Sequence, residues 1–310
     1  MDKLNISVVV PLYNEAESLP ELAAWIDRVM RENGFSYELI LIDDGSSDGS
    51  WEEVERLKTQ YPAIRGIGFA RNYGKSAALY CGFAAAEGEV VITMDADLQD
   101  PPEVAMEMIA KWKEGFDVVH GKRRKRKGET VFKKLTAFCY YRLLNAMSAY
   151  PIPLDTGDFR LLDKKVADVF LKMREHNRFL RGMSGWMGFD AVPVEYVRHE
   201  RQAGKTKYTL KKMLRLAFDG ILGFSYKPMS LALYAGAALG VTGMLGLIAL
   251  IIIAATIGCA PWLWAVDGLV LINALTLAAI GVQGAYLNRI YDEVRGRPLY
   301  IAAETINLDR

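Results

Sequence analysis

Asp95-Ala96-Asp97 follows the apolar run Val90–Met94, and folding alone gives little reason for two carboxylates one residue apart at the end of a buried-type strand. In an extended segment, side chains at i and i+2 point to the same side. Both acids are therefore expected to face one spot, where their repulsion must be relieved by a proton, a cation or a basic partner. Oxygen ligands of this kind suit Mg²⁺ or Mn²⁺, ions that bridge protein carboxylates to a phosphate. Taken alone, the triplet also fits a solvated strand-to-loop turn, where aspartate is common.

The elements that must position these acids alternate in type. Strands are predicted over Ile6–Pro11, Glu38–Ile42, Ile64–Ala70 and Val90–Met94, with helices from Ser18 towards Arg31, over Ser50–Gln60 and over Lys75–Ala86. Such alternation predicts an open, mostly parallel α/β sheet, whose ligands bind beyond the carboxyl ends of the strands. Three polar clusters fall at those ends: Tyr13-Asn14-Glu15, Asp43-Asp44-Gly45-Ser46 and Asp95–Gln99. Two look-alikes fail. Gly66-Ile67-Gly68-Phe69-Ala70-Arg71 lacks the third glycine of a dinucleotide fingerprint, and Gly74-Lys75-Ser76 ends like a P-loop but has Phe69 in place of its first glycine.

The second half has a different character. Residues 1–120 carry 10 basic and 22 acidic side chains, whereas residues 121–227 carry 24 and 10, so a net charge of +1 conceals −12 followed by +14. From Pro228 to Val266, and again over Gly268–Asn288, no residue is charged. A bilayer core needs about 20 apolar residues per helix, so residues 228–289 are expected to form two transmembrane helices, turning near Gly258–Pro261. Lys211, Lys212, Arg215 and Lys227 precede the pair, while Arg289, Arg295 and Arg297 follow it. By this asymmetry residues 1–227, the tail (290–310) and both termini are expected in the cytoplasm, at the inner (cell) membrane, and the first residues are not expected to form a signal peptide. Apolar stripes within about 130–148 and 208–224 fit either core-facing helices or basic amphipathic helices lying in the interface. Ala232, Gly236 and Gly240 form a ridge that suits helix packing, including packing in a homo-oligomer. A basic block next to a membrane pair argues for a phosphorylated lipid or anionic head groups and against nucleic acid. Cys81, Cys139 and Cys259 have no paired spacing, and the three histidines form no metal cluster.

Four ordered pieces carry a resemblance: Val10–Glu15, Ile42–Gly49, Met94–Pro102 and Asp155–Arg160. A fifth, Arg201–Tyr208, is similar to an Arg-x-x-Gly-Glu-Ser-Lys-Tyr pattern, with Lys205 and Thr206 standing where Glu and Ser are usual. Together they resemble glycosyltransferase family 2, in its branch of dolichol-phosphate mannose synthases and bacterial polyprenyl-phosphate (bactoprenol) glucosyltransferases. The resemblance implies a GT-A, Rossmann-like nucleotide-sugar domain. It places Pro11, Tyr13, Glu15, Ile42 and Asp44 around the nucleotide. Asp95, Ala96, Asp97 and Gln99 are placed at the ribose, diphosphate and metal, with Asp97 foremost as direct ligand. Arg123, Arg201 and Lys207 become cations near the diphosphate, the position of Arg123 being open within Lys122-Arg123-Arg124.

The implied reaction moves one sugar from a nucleotide-sugar donor to a polyprenyl phosphate with inversion, assisted by Mg²⁺ or Mn²⁺. Asp158 is implied as a base or acceptor-orienting group. Asp155 is its rival, and bracing of a loop through Arg160 is the structural alternative. Two spans with cytoplasmic termini resemble the bacterial glucosyl-transferring members of the family, which implies UDP-glucose and undecaprenyl phosphate and leaves GDP-mannose and other UDP-sugars open. A processive polysaccharide synthase is the first alternative, although Gln-x-x-Arg-Trp is missing from the sequence. A catalytically inactive membrane adaptor or flippase is the second.

Overall fold

The computed structural model describes residues 5–123, 156–173, 175, 180–197, 234, 238, 241, 245, 248, 252 and 262–308. Four strand–helix units come first: β1 Asn5–Leu12, α1 Leu19–Glu32, β2 Ser36–Asp43, α2 Ser50–Gln60, β3 Ile64–Phe69, α3 Lys75–Ala85, β4 Val90–Thr93 and α4 Val104–Lys113. They are followed by β5 Val118–Arg123, β6 Thr156–Asp163, α5 Lys164–Lys172, α6 Leu180–Trp186, β7 Ala191–Tyr196, α7 Trp262–Arg295 and β8 Ala302–Ile306. The strands form one sheet in the order β7-β5-β6-β4-β1-β2-β3-β8.

Alternation along the central strands explains the layers. Val8 and Val10 of β1, with Leu39 and Leu41 of β2, enter the core shared with α1, α2 and α4. Val9, Ile40 and Ile42 point to the other side and pack with α3 and α5. Both faces are thus covered, so β1 is buried almost throughout, as expected of parallel strands flanked by helices. In α1 the buried residues Leu19, Leu22, Ala23, Ile26, Val29 and Met30 recur at helical spacing and form one apolar stripe. Gly82 of α3 lies so close to the sheet that an added Cβ would come 2.2 Å from Val9 Cγ1, which sets how tightly α3 packs.

The sheet is mostly parallel, as expected, but mixed, with two strands reversed. β1, β2, β3 and β4 pair in parallel, as do β5 and β7. By contrast β6 runs antiparallel to both β4 and β5, and β8 runs antiparallel to β3. The antiparallel β6 matters most, because it returns along β4 and delivers its own residues to the carboxyl end of that strand.

The segment 290–310, set apart from the first domain by sequence, carries β8, which completes the sheet. Ile306 is buried there, Trp51 Nε1 donates to Glu304 Oε2 at 2.5 Å, and Tyr300 stacks on Phe69 at 4.9 Å. Among the described residues no helix is long and apolar enough to cross a membrane. The expected first span, the stretches 130–148 and 208–224 and the ridge Ala232, Gly236 and Gly240 lie outside the described residues. Much of the expected second span falls on α7, where Trp262, Leu269, Ile272, Ile280 and Leu287 are exposed.

Candidate active site

Two loops at the carboxyl ends of β1 and β2 are laced together by their short polar side chains. Asn14 N donates to Ser46 Oγ at 2.9 Å, and Ser47 N returns a bond to Asn14 Oδ1 at 2.8 Å. Glu15 N donates to Ser50 Oγ at 3.0 Å, while Ser50 Oγ donates to Asp48 Oδ1 at 2.5 Å. Asp43 receives Ser46 through both N–H and hydroxyl. Asn14 holds a φ of +54°, a conformation asparagine tolerates better than most residues.

Asp44 ties this pair of loops to a third. Its carboxylate accepts from Tyr73 N at 2.7 Å and from Gly74 N at 2.9 Å, fixing the segment between β3 and α3. Burial raises the pKa of Asp44, opposed by those two N–H groups, and burial also raises that of Asp43. Gly45 permits the close approach: a Cβ there would lie 2.5 Å from Arg71 C and 2.7 Å from Asn72 N, with φ already at +70°.

The segment held by Asp44 leads directly into Lys75. Its ammonium pairs with Asp95 and lies 2.8 Å from Asp158 Oδ2. Strand register explains the meeting. Thr93, the last residue of β4, faces Arg160 of β6, so Asp158, two residues before Arg160, lies next to the residues that follow β4. Thr93 Oγ1 secures the approach by donating to the Asp158 carbonyl. Arg160, almost fully buried, reaches Asp158 Oδ1 at 3.5 Å and donates to the Gly157 carbonyl at 3.3 Å. Burial works against the charge on Lys75, yet the carboxylates of Asp158 and Asp95 outweigh it and raise its pKa above the ordinary lysine value. Lys75 is therefore a fixed cation. Next to this cluster, burial and then Arg160 push the His120 pKa down to about 3, which makes it a neutral core residue.

The acidic triplet itself departs from expectation. β4 ends at Thr93, so Asp95 and Asp97 do not extend a strand and do not share a face by alternation. Ala96 and Asp97 lie in a turn, Leu98 adopts a φ of +59°, and Gln99 N donates to Asp97 Oδ1 at 3.3 Å. The repulsion is instead relieved by a basic partner on Asp95. Among the described residues, no group of three or more His, Cys, Asp or Glu side chains could hold a metal ion. Two carboxylates in one turn nevertheless match the needs of Mg²⁺ or Mn²⁺, which take one or two such ligands and complete their shell with substrate phosphate and water.

The other predicted positions divide clearly. Tyr13 is exposed at the mouth of the laced loops, with Glu15 partly exposed behind it, while Pro11 is buried beneath. Ile42, expected to line the pocket, has its side chain wholly buried on the α3 side. Strand alternation decides this, since Asp43 and Ile42 must face opposite ways. Gln99 and Ala96 are buried under the acidic turn. Arg123 closes β5, paired in register with Tyr196 of β7. Asp155, Arg201 and Lys207 lie outside the described residues. The functional residue that sequence reasoning missed is Lys75, passed over as part of a failed P-loop. The signal within reach was its place at the start of a helix after a strand.

A mixed α/β sheet with laced loops past β1 and β2, and a lysine-bridged acid site past β4, defines a GT-A-type glycosyltransferase domain. Residues 7–171 match the profile of Glycosyl transferase family 2. The chain is 44% identical over 310 residues to the uncharacterized glycosyltransferase YkcC of Bacillus subtilis, covering 99% of this chain and 95% of that one. It is 35% identical over 302 residues to the SfII prophage-derived bactoprenol glucosyl transferase of Shigella flexneri, covering 96% and 97%. A structure of glucosyl-3-phosphoglycerate synthase from Mycobacterium tuberculosis with Mn²⁺ and UDP-glucose aligns at 18% identity and a TM-score of 0.46, over 71% of this chain and 77% of that one. That distance is too great to carry an argument about ligands. The chain belongs to glycosyltransferase family 2 and is a glycosyltransferase.

Proposed function

We propose that the enzyme transfers one hexosyl group, glucose from UDP-glucose first among the candidates, to a polyprenyl phosphate with inversion. The observation that carries this reading is the Lys75 bridge between Asp95 and Asp158, which sets a permanent cation and two acids at the carboxyl end of β4. Support for the acceptor comes from the 35% identity to a bactoprenol glucosyl transferase over nearly the whole chain.

A phosphate oxygen of the acceptor attacks the anomeric carbon. The new bond forms as the carbon–oxygen bond to the nucleoside diphosphate breaks, and the electron pair leaves with the diphosphate. A phosphate monoester has a second pKa of about 6 and is largely ionised at neutral pH, so little proton removal is required. Asp158 then orients the acceptor and Lys75 more than it acts as a base. Lys75 places positive charge where the diphosphate gains negative charge, a form of stabilisation that acts most strongly in the transition state. Asp97 and Asp95, with Gln99 beneath, would hold Mg²⁺ or Mn²⁺, which when bound would neutralise further charge on the departing diphosphate. Tyr13 and the laced loops receive the nucleotide.

The membrane is the proposed workplace, at its cytoplasmic face. Exposed Tyr234, Val241, Leu245, Ile248 and Ile252 follow helical spacing, and α7 exposes a further row of large apolar residues. Exposed large apolar side chains repeated along a helix in this way suit lipid.

Incubation of the full-length protein with labelled nucleotide sugars and undecaprenyl phosphate tests the reading. A monoglycosyl lipid of inverted anomeric configuration supports it. A retained configuration rejects the direct displacement, polymer identifies a processive synthase, and no transfer from any donor identifies an inactive relative.

A further inference from the structure

A cavity of about 310 Å³ shares no lining residue with the acidic site. One wall is the start of the segment that carries Lys75, with Arg71, Tyr73 and Ser76. The other is the last turn of α7 and the start of its connection to β8, with Asp292, Arg295 and Arg297. Its size falls at the lower end of the roughly 300–1,000 Å³ range of ligand cavities.

Three arginines and one carboxylate thus line the cavity. Guanidinium groups stay charged at any ordinary pH, so three of them beside one carboxylate leave the cavity with an excess of positive charge that suits an anion. Two of them are also pre-oriented. The Arg71 guanidinium lies 4.2 Å from the Tyr73 ring centre, and that of Arg295 lies 5.0 Å from the ring of Tyr291. Stacking uses the face of a guanidinium and leaves its N–H edge to grip phosphate oxygens in pairs. The walls are fixed with respect to each other, since Ala70 N donates to the Ile301 carbonyl at 3.0 Å and Phe69 stacks on Tyr300.

We propose that this cavity is a second anion site, separate from that of the donor, which takes a phosphate ester or free phosphate through Arg71, Arg295 and Arg297. It stands whether or not the acceptor is a polyprenyl phosphate. An anion bound here restrains residues 71–77, the segment that presents Lys75 to Asp95 and Asp158.

The test titrates full-length protein, in a phosphate-free neutral detergent, with inorganic phosphate, dihexanoyl phosphatidic acid and dihexanoylglycerol. Binding is read by phosphorus NMR for the first two and by amide hydrogen exchange for all three. Saturable binding of phosphate or phosphatidic acid, but not of dihexanoylglycerol, is expected, with slower exchange confined to 71–77 and 292–299. Binding of phosphatidic acid alone identifies a lipid head group as the source, whereas binding of both identifies free phosphate as sufficient. The triple variant R71Q/R295Q/R297Q should bind the anion at least about tenfold more weakly while still binding UDP. If that variant loses its fold, the single R297Q variant should still weaken anion binding by about threefold. Absence of saturation, equal affinity in the variants, or displacement of the anion by UDP at the affinity of its own site overturns the proposal.

Discussion

The Lys75 ammonium lies 2.8 Å from the Asp158 carboxylate and pairs at the same time with Asp95, so one side chain joins α3, β6 and the turn after β4. Replacing Lys75 by Met removes the cation and leaves two acids facing each other. Transfer should fall by about 10²–10³-fold in kcat/KM, with K75R recovering part of it. D158N should also lower kcat, and the double variant should lose little more than K75M alone, because groups acting as a unit are not additive. Independent, multiplying losses in that cycle would refute the shared role.

Gly45 should tolerate no side chain. In G45A the added Cβ meets the backbone of Arg71 and Asn72, which pushes away the segment that Asp44 holds. A rise in donor KM of about tenfold and a lower melting temperature are expected. An unchanged KM would show that the 71–75 segment does not shape the donor site.

Divalent metal should be required. EDTA is expected to stop transfer, and Mg²⁺ or Mn²⁺ to restore it. D97N should raise the metal concentration needed for half-maximal rate, read by titrating the ion at fixed donor. Full activity in EDTA would leave Asp97 without its assigned role.

His120 links stability to pH. Its folded pKa, lowered to about 3, lies below the ordinary value of 6.5, so protons bind more readily to the unfolded chain. Its contribution is complete above pH 6.5 and is lost as pH falls towards 3, at up to about 1.4 kcal/mol per pH unit. The unfolding midpoint of wild type should therefore drop more steeply between pH 6.5 and 4 than that of H120L. Parallel curves would exclude His120 as the source.

The tail strand should matter for stability. Ile306 packs across from Gly66 on β3, where an added Cβ would lie 3.2 Å from its Cδ1. I306A should cost about 2 kcal/mol, whereas E304Q, which alters a single exposed hydrogen bond to Trp51, should cost well under half of that. Thermal melts of the two variants decide it.

Much of the fold was legible because its first four units are built from local patterns. Apolar runs of strand length and a stripe such as Leu19, Leu22, Ile26 and Met30 state their element without reference to the rest of the chain. The acidic triplet and the Asp43–Ser46 cluster were legible for the same reason, since short polar residues after buried strands mark loops at the ligand edge. The burial of the Ile42 side chain was less legible, because resemblance assigns a motif as a block, whereas strand alternation separates its neighbours. β8 and the antiparallel course of β6 were not legible, because pairing between distant segments leaves little trace in either one.

The sequence by itself therefore determined the class of chemistry: a nucleotide-sugar fold with two carboxylates past its fourth strand and a strongly basic second half. Only the tertiary structure decided how those carboxylates are held. An ion pair depends on distance in space, and only when β6 returns along β4 and α3 starts over the same edge do Lys75, Asp95 and Asp158 come within reach of one another.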